Sequence, residues 1–245
     1  MREFNTTGPC NPTLHYTIMR EKLMAEGKAK VHQGRFFTLF APRQTGKTTY
    51  FQLLLEELKH EGIIPIWISF ESLKTVTRER FYQALTIYLQ RELAEYGIKI
   101  EFPIVDSIGL GQFFATSLFE RKGQGEGKAK PIVLIIDEFE GIPDEVLSEV
   151  MHAFREIYHQ KNHYALHSLI LVGVSTIAEL VVGPASPFNI AEELELPYFT
   201  FEEVNKLIQQ YTAESGQLFE PSVIRPSTII RMDSLVWLMR CAIIL

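Results

Sequence analysis

Phe36-Phe37-Thr38-Leu39-Phe40-Ala41-Pro42-Arg43-Gln44-Thr45-Gly46-Lys47-Thr48-Thr49 decides how the rest of the chain is read. An apolar run ends at Phe40, a turn-rich stretch follows, and helical spacing runs from Lys47 to about His60. Ala-x-x-x-x-Gly-Lys-Thr is the phosphate-binding loop pattern, with Ala41 in place of the first glycine. Such a loop must aim several backbone N–H groups at phosphate, and the helix that follows adds free donors and the positive end of its dipole. The candidate binding residues are therefore Gln44, Thr45, Gly46, Lys47, Thr48 and Thr49. Gly46 permits close approach, Lys47 neutralises the β and γ phosphates, and the Thr48 hydroxyl suits Mg²⁺. Pro42 holds residue 41 extended, which fits a residue leaving a strand.

A second apolar run, Pro131-Ile132-Val133-Leu134-Ile135-Ile136, ends in Asp137-Glu138. In open α/β sheets ligands sit at the carboxyl ends of strands, where Asp137 would fall. Asp137 is the candidate for the Mg²⁺ shell opposite Thr48, and Glu138 the candidate catalytic base beside Lys47. Glu71, at the end of the strand Ile63–Phe70, is the rival base, or a gate on Glu138 together with Ser69. Ser175 and Thr176 follow the strand Ser168–Val174. They read equally as γ-phosphate sensors or as caps of the next helix.

Outside these runs, helical spacing predicts helices over about 15–31, 77–96, 110–121, 143–160 and 201–215. Thr200 with Glu203 forms a capping-box signature for the last of these. Leu194–Pro197 starts a short fifth strand. Strands alternating with helices imply a parallel sheet, with the fourth strand needed between the first and third. Arg121–Lys130 is either a solvated loop or a partner-binding one.

Net charge is −6 over 245 residues, which gives no basic footprint for nucleic acid. Cys10 and Cys241 have no metal-like spacing and suggest no disulfide framework. The first residues are polar and turn-rich, unlike a signal peptide, and no apolar run approaches a membrane span. These features lead to the expectation of a soluble, cytoplasmic protein.

Gly8-Pro9, His15-Tyr16, Gly34-Arg35-Phe36-Phe37, the Ala41–Thr49 string, Ile135-Ile136-Asp137-Glu138 and Ser186-Pro187-Phe188-Asn189-Ile190 together resemble the AAA-like ATP-binding proteins of prokaryotes. These are close to the signalling ATPases with numerous domains (the STAND class) and to archaeal AAA-type ATPases. The resemblance covers residues about 5 to 222. It implies an α/β P-loop NTPase three-layer sandwich with sheet order 5-1-4-3-2. It also implies ATP with Mg²⁺, hydrolysis or a nucleotide-driven switch, and a Gly8–Tyr16 segment near the adenine. By its residue type alone, Tyr16 reads as a docked aromatic.

Two departures bear on mechanism. No Arg lies between Arg155 and Arg225, so an arginine finger from that region is missing, and Lys161 would replace it only weakly. Arg225–Leu245 is apolar and weakly patterned, which suggests a truncated or absent helical lid and a tail that favours self-association. The expected division is an N-terminal segment 1–31, an ATPase core 32–222 and a remnant or tail 223–245. The expected function is a Mg-ATP-dependent switch or slow ATP hydrolase. The alternatives are a non-hydrolysing scaffold and a small-molecule kinase, although the Arg-rich lid of such a kinase is missing. A GTPase would need an Asp that Asn205-Lys206-Leu207-Ile208 lacks.

Overall fold

A computed structural model describes residues 1–5, 8–40, 42, 45–100, 102–115, 130–173 and 191–218. Strands β1 (Phe36–Phe40), β2 (Ile64–Ser69), β3 (Ile132–Asp137), β4 (Leu166–Gly173) and β5 (Glu192–Glu195) form one sheet. Its order is β2-β3-β4-β1-β5, the expected order read from the other edge. The pairings of β1 with β4, β4 with β3 and β3 with β2 are all parallel. β3 is buried along its whole length and β4 along nearly all of it. This is why both read as unbroken apolar runs: a parallel sheet is covered on both faces.

The helices are α1 (Glu21–His32), α2 (Lys47–His60), α3 (Arg78–Ala94), α4 (Ser107–Phe113), α5 (Asp144–His159) and α6 (Phe201–Ser215). Phe81, Leu85, Leu89 and Leu93 of α3, and Val146, Val150, Phe154 and Ile157 of α5, are buried at helical spacing in the same core as β2, β3 and β4. Each such side chain stabilises the fold by roughly 1.5–3 kcal/mol through burial. Thr77 caps α3. At α6 the capping box is complete, with the Thr200 hydroxyl accepting from Glu203 N and Glu203 Oε2 accepting from Thr200 N.

Two helices differ from expectation. The helix expected over 15–31 begins only at Glu21. The strip before it is extended because its backbone groups are already engaged. Tyr16 N donates to the Glu3 carbonyl, and Gln210 holds both the N–H and the carbonyl of Thr17. The helix expected over 110–121 starts earlier, at Ser107, because Asp106 caps it by accepting from Gly109 N at 2.7 Å. Residues 116–121 of that expectation lie outside the described residues, as does the whole 223–245 tail.

The chain divides into two compact units. One comprises Met1–Gly27, Ala41–Glu56 and Glu195–Leu245; the other comprises Lys28–Phe40 and Glu57–Leu194. Tyr16, Phe199, Val204, Leu207 and Ile208 form the core of the first unit.

Candidate functional site

In the first unit the stretch expected to form the phosphate loop turns directly into a helix. Gly46 has φ +80°, a conformation that a side chain disfavours, and Tyr50 N donates back to the Gly46 carbonyl. The Thr45 hydroxyl donates to the Pro42 carbonyl at 2.9 Å, and Thr45 is buried. Lys47, Thr48 and Thr49 occupy the first turn of α2, which carries no acidic residue. A helix start without acidic side chains favours an anion. Thr49 Oγ1 accepts from Cys10 N at 2.9 Å, which fastens the N-terminal segment to that turn. Ala41, Arg43 and Gln44 lie outside the described residues.

Beside this turn lies a cavity of about 40 Å³, with about 530 Å³ of empty space once its mouth is included. Thr45, Gly46 and Thr49 line its loop side; Cys10, Leu53 and Phe199 are among the residues that complete it. Its walls are predominantly apolar with a few polar groups. Tyr16 also lines it, yet is only 2% exposed. Its ring packs on Phe4 and Tyr211 with centroids at 4.9 and 5.7 Å, and its hydroxyl donates to Glu214 Oε2 at 3.1 Å. Burial, then the hydrogen bond to Glu214, raises its pKa. Tyr16 is therefore a docked aromatic whose face also forms part of the cavity wall. Burial likewise pushes the Cys10 thiol up.

Arg20 escaped sequence reading. It is 8% exposed, has φ +51°, and stands between the extended strip and α1. Its guanidinium donates to Glu203, to the carbonyls of Pro197 and Tyr198, and to the Thr45 carbonyl. Read as sequence, Arg20 is one more charge within the helix expected over 15–31, because its partners lie far along the chain.

The acidic pair belongs to the second unit. Asp137 ends β3, is 7% exposed, and accepts from Glu138 N through Oδ1 at 2.9 Å. Its carbonyl accepts from Phe70 N, which fixes the end of β3 against the end of β2. Glu138 has φ +52° and ψ +50°, uncommon for a residue with a side chain, and leads into a 3-10 turn at Phe139–Gly141. This left-handed step breaks the strand alternation and turns Glu138 away from the direction it would have as a further β residue. Gly173, at the end of β4, leaves room for the Glu140 carboxylate; a Cβ there would overlap Oε2. Glu140 is thus a further acid at this edge that the sequence reading left out.

Glu71 is exposed, and its N–H donates to the Ser69 hydroxyl at 3.3 Å. Ser175 and Thr176 lie outside the described residues. Lys161 is not poised as a finger. Its ammonium donates to the Gly34 carbonyl and lies 4.0 Å from the centroid of the Tyr158 ring. Gly34 and Lys161 precede β1 and β4, so this contact sits at the amino ends of the strands, the wrong edge for ligand chemistry.

A family profile described as an AAA-like domain matches residues 8–220. Among curated proteins, an uncharacterised WD repeat-containing protein of Synechocystis is 26% identical over 207 residues. That match takes in 77% of this chain but only 17% of the relative, so the chain spans a small part of that protein's length. Among solved structures, the Walker-type ATPase PABY2304 of Pyrococcus abyssi superposes with a TM-score of 0.63 at 15% identity, covering 96% of this chain and 69% of that one. Cdc6p of Pyrobaculum aerophilum gives 0.60 at 13% identity, with 96% and 62% covered. The ORC1 protein of Aeropyrum pernix, solved in complex with DNA, gives 0.51 at 16% identity, with 83% and 52% covered. At these identities the structures speak for the fold alone, whereas the profile spans most of the chain: this protein belongs to the AAA-like domain family.

Proposed function

We propose that the protein binds Mg-ATP and acts as a nucleotide-dependent switch or slow ATP hydrolase. The observation that carries this reading is the left-handed Gly46 opening into a first turn of α2 that holds Lys47 and no acidic residue, beside a largely apolar cavity. In it the loop N–H groups and Lys47 bind phosphate, and the base enters at the apolar cavity, which must widen beyond its about 40 Å³ to take it, with the N-terminal segment 1–31 as one wall. The 32–222 stretch is then the ATPase core, with 223–245 outside it.

The reading assigns Mg²⁺ to the Thr48 hydroxyl and the Asp137 carboxylate, both oxygen donors of the class Mg²⁺ takes. Mg²⁺ is commonly held by one or two such groups together with phosphate and water, and when bound it neutralises charge on the β and γ oxygens. Glu138 polarises the attacking water, with Glu71 the rival for that role. Ser175 and Thr176 are proposed sensors. The absence of an Arg between Arg155 and Arg225 favours slow turnover. The alternative, a scaffold that binds nucleotide without hydrolysing it, differs only in the turnover step.

The proposed setting is the cytoplasm, with a protein partner or self-association through helical faces. Among the described residues no helix is long and apolar enough to cross a membrane. No DNA binding is proposed, since the net charge of −6 supplies no basic footprint.

Calorimetric titration with Mg-ATP tests the reading. Lys47→Ala is expected to weaken binding at least about tenfold, since a charge-assisted contact contributes roughly 1.5–3 kcal/mol and tenfold corresponds to about 1.4 kcal/mol. Equal affinities in the two proteins would sink the phosphate-loop assignment.

A further inference from the structure

Arg20 draws together parts of the first unit that are distant in sequence. Nε donates to Glu203 Oε1 at 3.1 Å, Nη2 to the Pro197 carbonyl at 2.7 Å and the Tyr198 carbonyl at 3.3 Å, and Nη1 to the Thr45 carbonyl at 3.3 Å. The guanidinium also lies 4.8 Å from the Phe199 ring centroid. A peptide unit is planar and trans, so its carbonyl and the next N–H point to opposite sides. Holding the Thr45 carbonyl toward Arg20 therefore aims the Gly46 N–H the other way, as a loop that presents N–H groups to an anion requires.

At the other end, Glu203 uses one carboxylate oxygen for Arg20 and the other for Thr200 N in the capping box. Gln210, seven residues on and so on nearly the same face of α6, grips both backbone groups of Thr17. α6 is thereby tied to the strip that lines the cavity, through Gln210 and also through Glu214 to Tyr16, and through Arg20 to the loop itself. Only a planar fork with several fixed donors can serve these acceptors together; a Lys offers a single point charge.

We propose that Arg20 is a positioning residue that sets the Thr45–Gly46 peptide and passes the state of the phosphate loop to α6. The inference rests on the Mg-ATP reading above. It makes α6, rather than an arginine finger, the element that reports nucleotide occupancy to whatever the chain acts on.

Amide hydrogen exchange on the full chain with and without Mg-ATP tests this. In the wild type, ATP is expected to slow exchange both at residues 45–50 and at residues 198–206. Arg20→Lys is expected to bind ATP about tenfold more weakly, as for loss of a charged hydrogen bond. At saturating ATP its loop is still protected, but residues 198–206 no longer respond. Glu203→Gln keeps an acceptor for Thr200 N and is the milder variant; it too should uncouple α6, with ATP affinity close to wild type. A merely structural role would lower the melting temperature and leave the paired response intact. The proposal is overturned if residues 198–206 respond to ATP in both variants as in the wild type. It is equally overturned if they stay silent in a wild type whose loop is protected. Silence of both regions in the wild type would instead remove the ATP reading, and the proposal with it.

Discussion

Gly141 packs directly against Phe70: a methyl group on its Cα would overlap the Phe70 carbonyl oxygen. Phe70 N in turn donates to the Asp137 carbonyl. The turn that carries Asp137 and Glu138 out of β3 is thereby seated on the end of β2. Gly141→Ala is expected to destabilise the protein by about 1–3 kcal/mol, the usual range for overpacking, because backbone cannot rotate aside. Urea denaturation measures it, and a change below about 0.5 kcal/mol would mean that the turn shifts freely.

Glu138→Gln is expected to retain ATP binding and lose turnover. The amide has almost the same shape but cannot act as a base. Phosphate release measured beside ATP affinity decides the point. Normal hydrolysis in Glu138→Gln together with loss in Glu71→Gln would move the catalytic carboxylate to β2.

Cys10 provides a chemical reporter of the cavity it lines. With Cys241→Ser it is the only thiol in the chain. Burial raises its pKa, so less thiolate is present at a given pH than for a free cysteine. Alkylation by N-ethylmaleimide should therefore be slow near neutrality and keep accelerating above the ordinary thiol range. ATP at ten times its Kd should slow the reaction about tenfold, in line with the fraction of unoccupied protein. An unchanged rate under saturating ATP would place the nucleotide elsewhere.

Glu214 links the first residues to α6. It accepts from Arg2 N at 2.9 Å, from Arg2 Nε at 2.8 Å and from the Tyr16 hydroxyl. The hydrogen bonds from Arg2 hold its pKa below the usual carboxylate value. A depressed carboxylate contributes stability above its unfolded pKa, and this is lost as pH falls through the lower folded value. Wild type should thus melt slightly above Glu214→Gln at neutral pH, with the gap closing below about pH 4. A gap independent of pH would show that the pair matters only for packing.

Where the chain carries its own local signals, sequence reading located elements to the residue. α2 runs from Lys47 to His60 and α6 from Phe201 to Ser215, as expected. The first follows the loop motif, and the second opens on a capping box and closes at Gly216, which has φ +73°. The strands were legible because burial on both faces leaves only apolar residues along them. Arg20 was not legible, since its left-handed backbone and its carbonyl partners leave no trace in residue type. The extended strip before α1 was misread for the same reason. Its residues have acceptable helical spacing, but Gln210, far along the chain, holds the Thr17 backbone groups that a helix would need. The left-handed step at Glu138 likewise leaves no trace in residue type, since a glutamate seldom adopts it.

The order of the strands has a consequence for how the protein is made. β1 leaves the ribosome first of the five, yet its central neighbour is β4, with Phe36 paired to Leu169. β2 and β3 stand on the far side of β4 and give it no partner. At synthesis rates of about 5–20 residues per second, β1 waits on the order of ten seconds for its frame. During that interval Phe36, Phe37 and Leu39, all buried in the finished protein, are exposed to other nascent chains and to chaperones. Slowed translation between β3 and β4 should therefore lower the yield of native protein more than the same delay placed after β4.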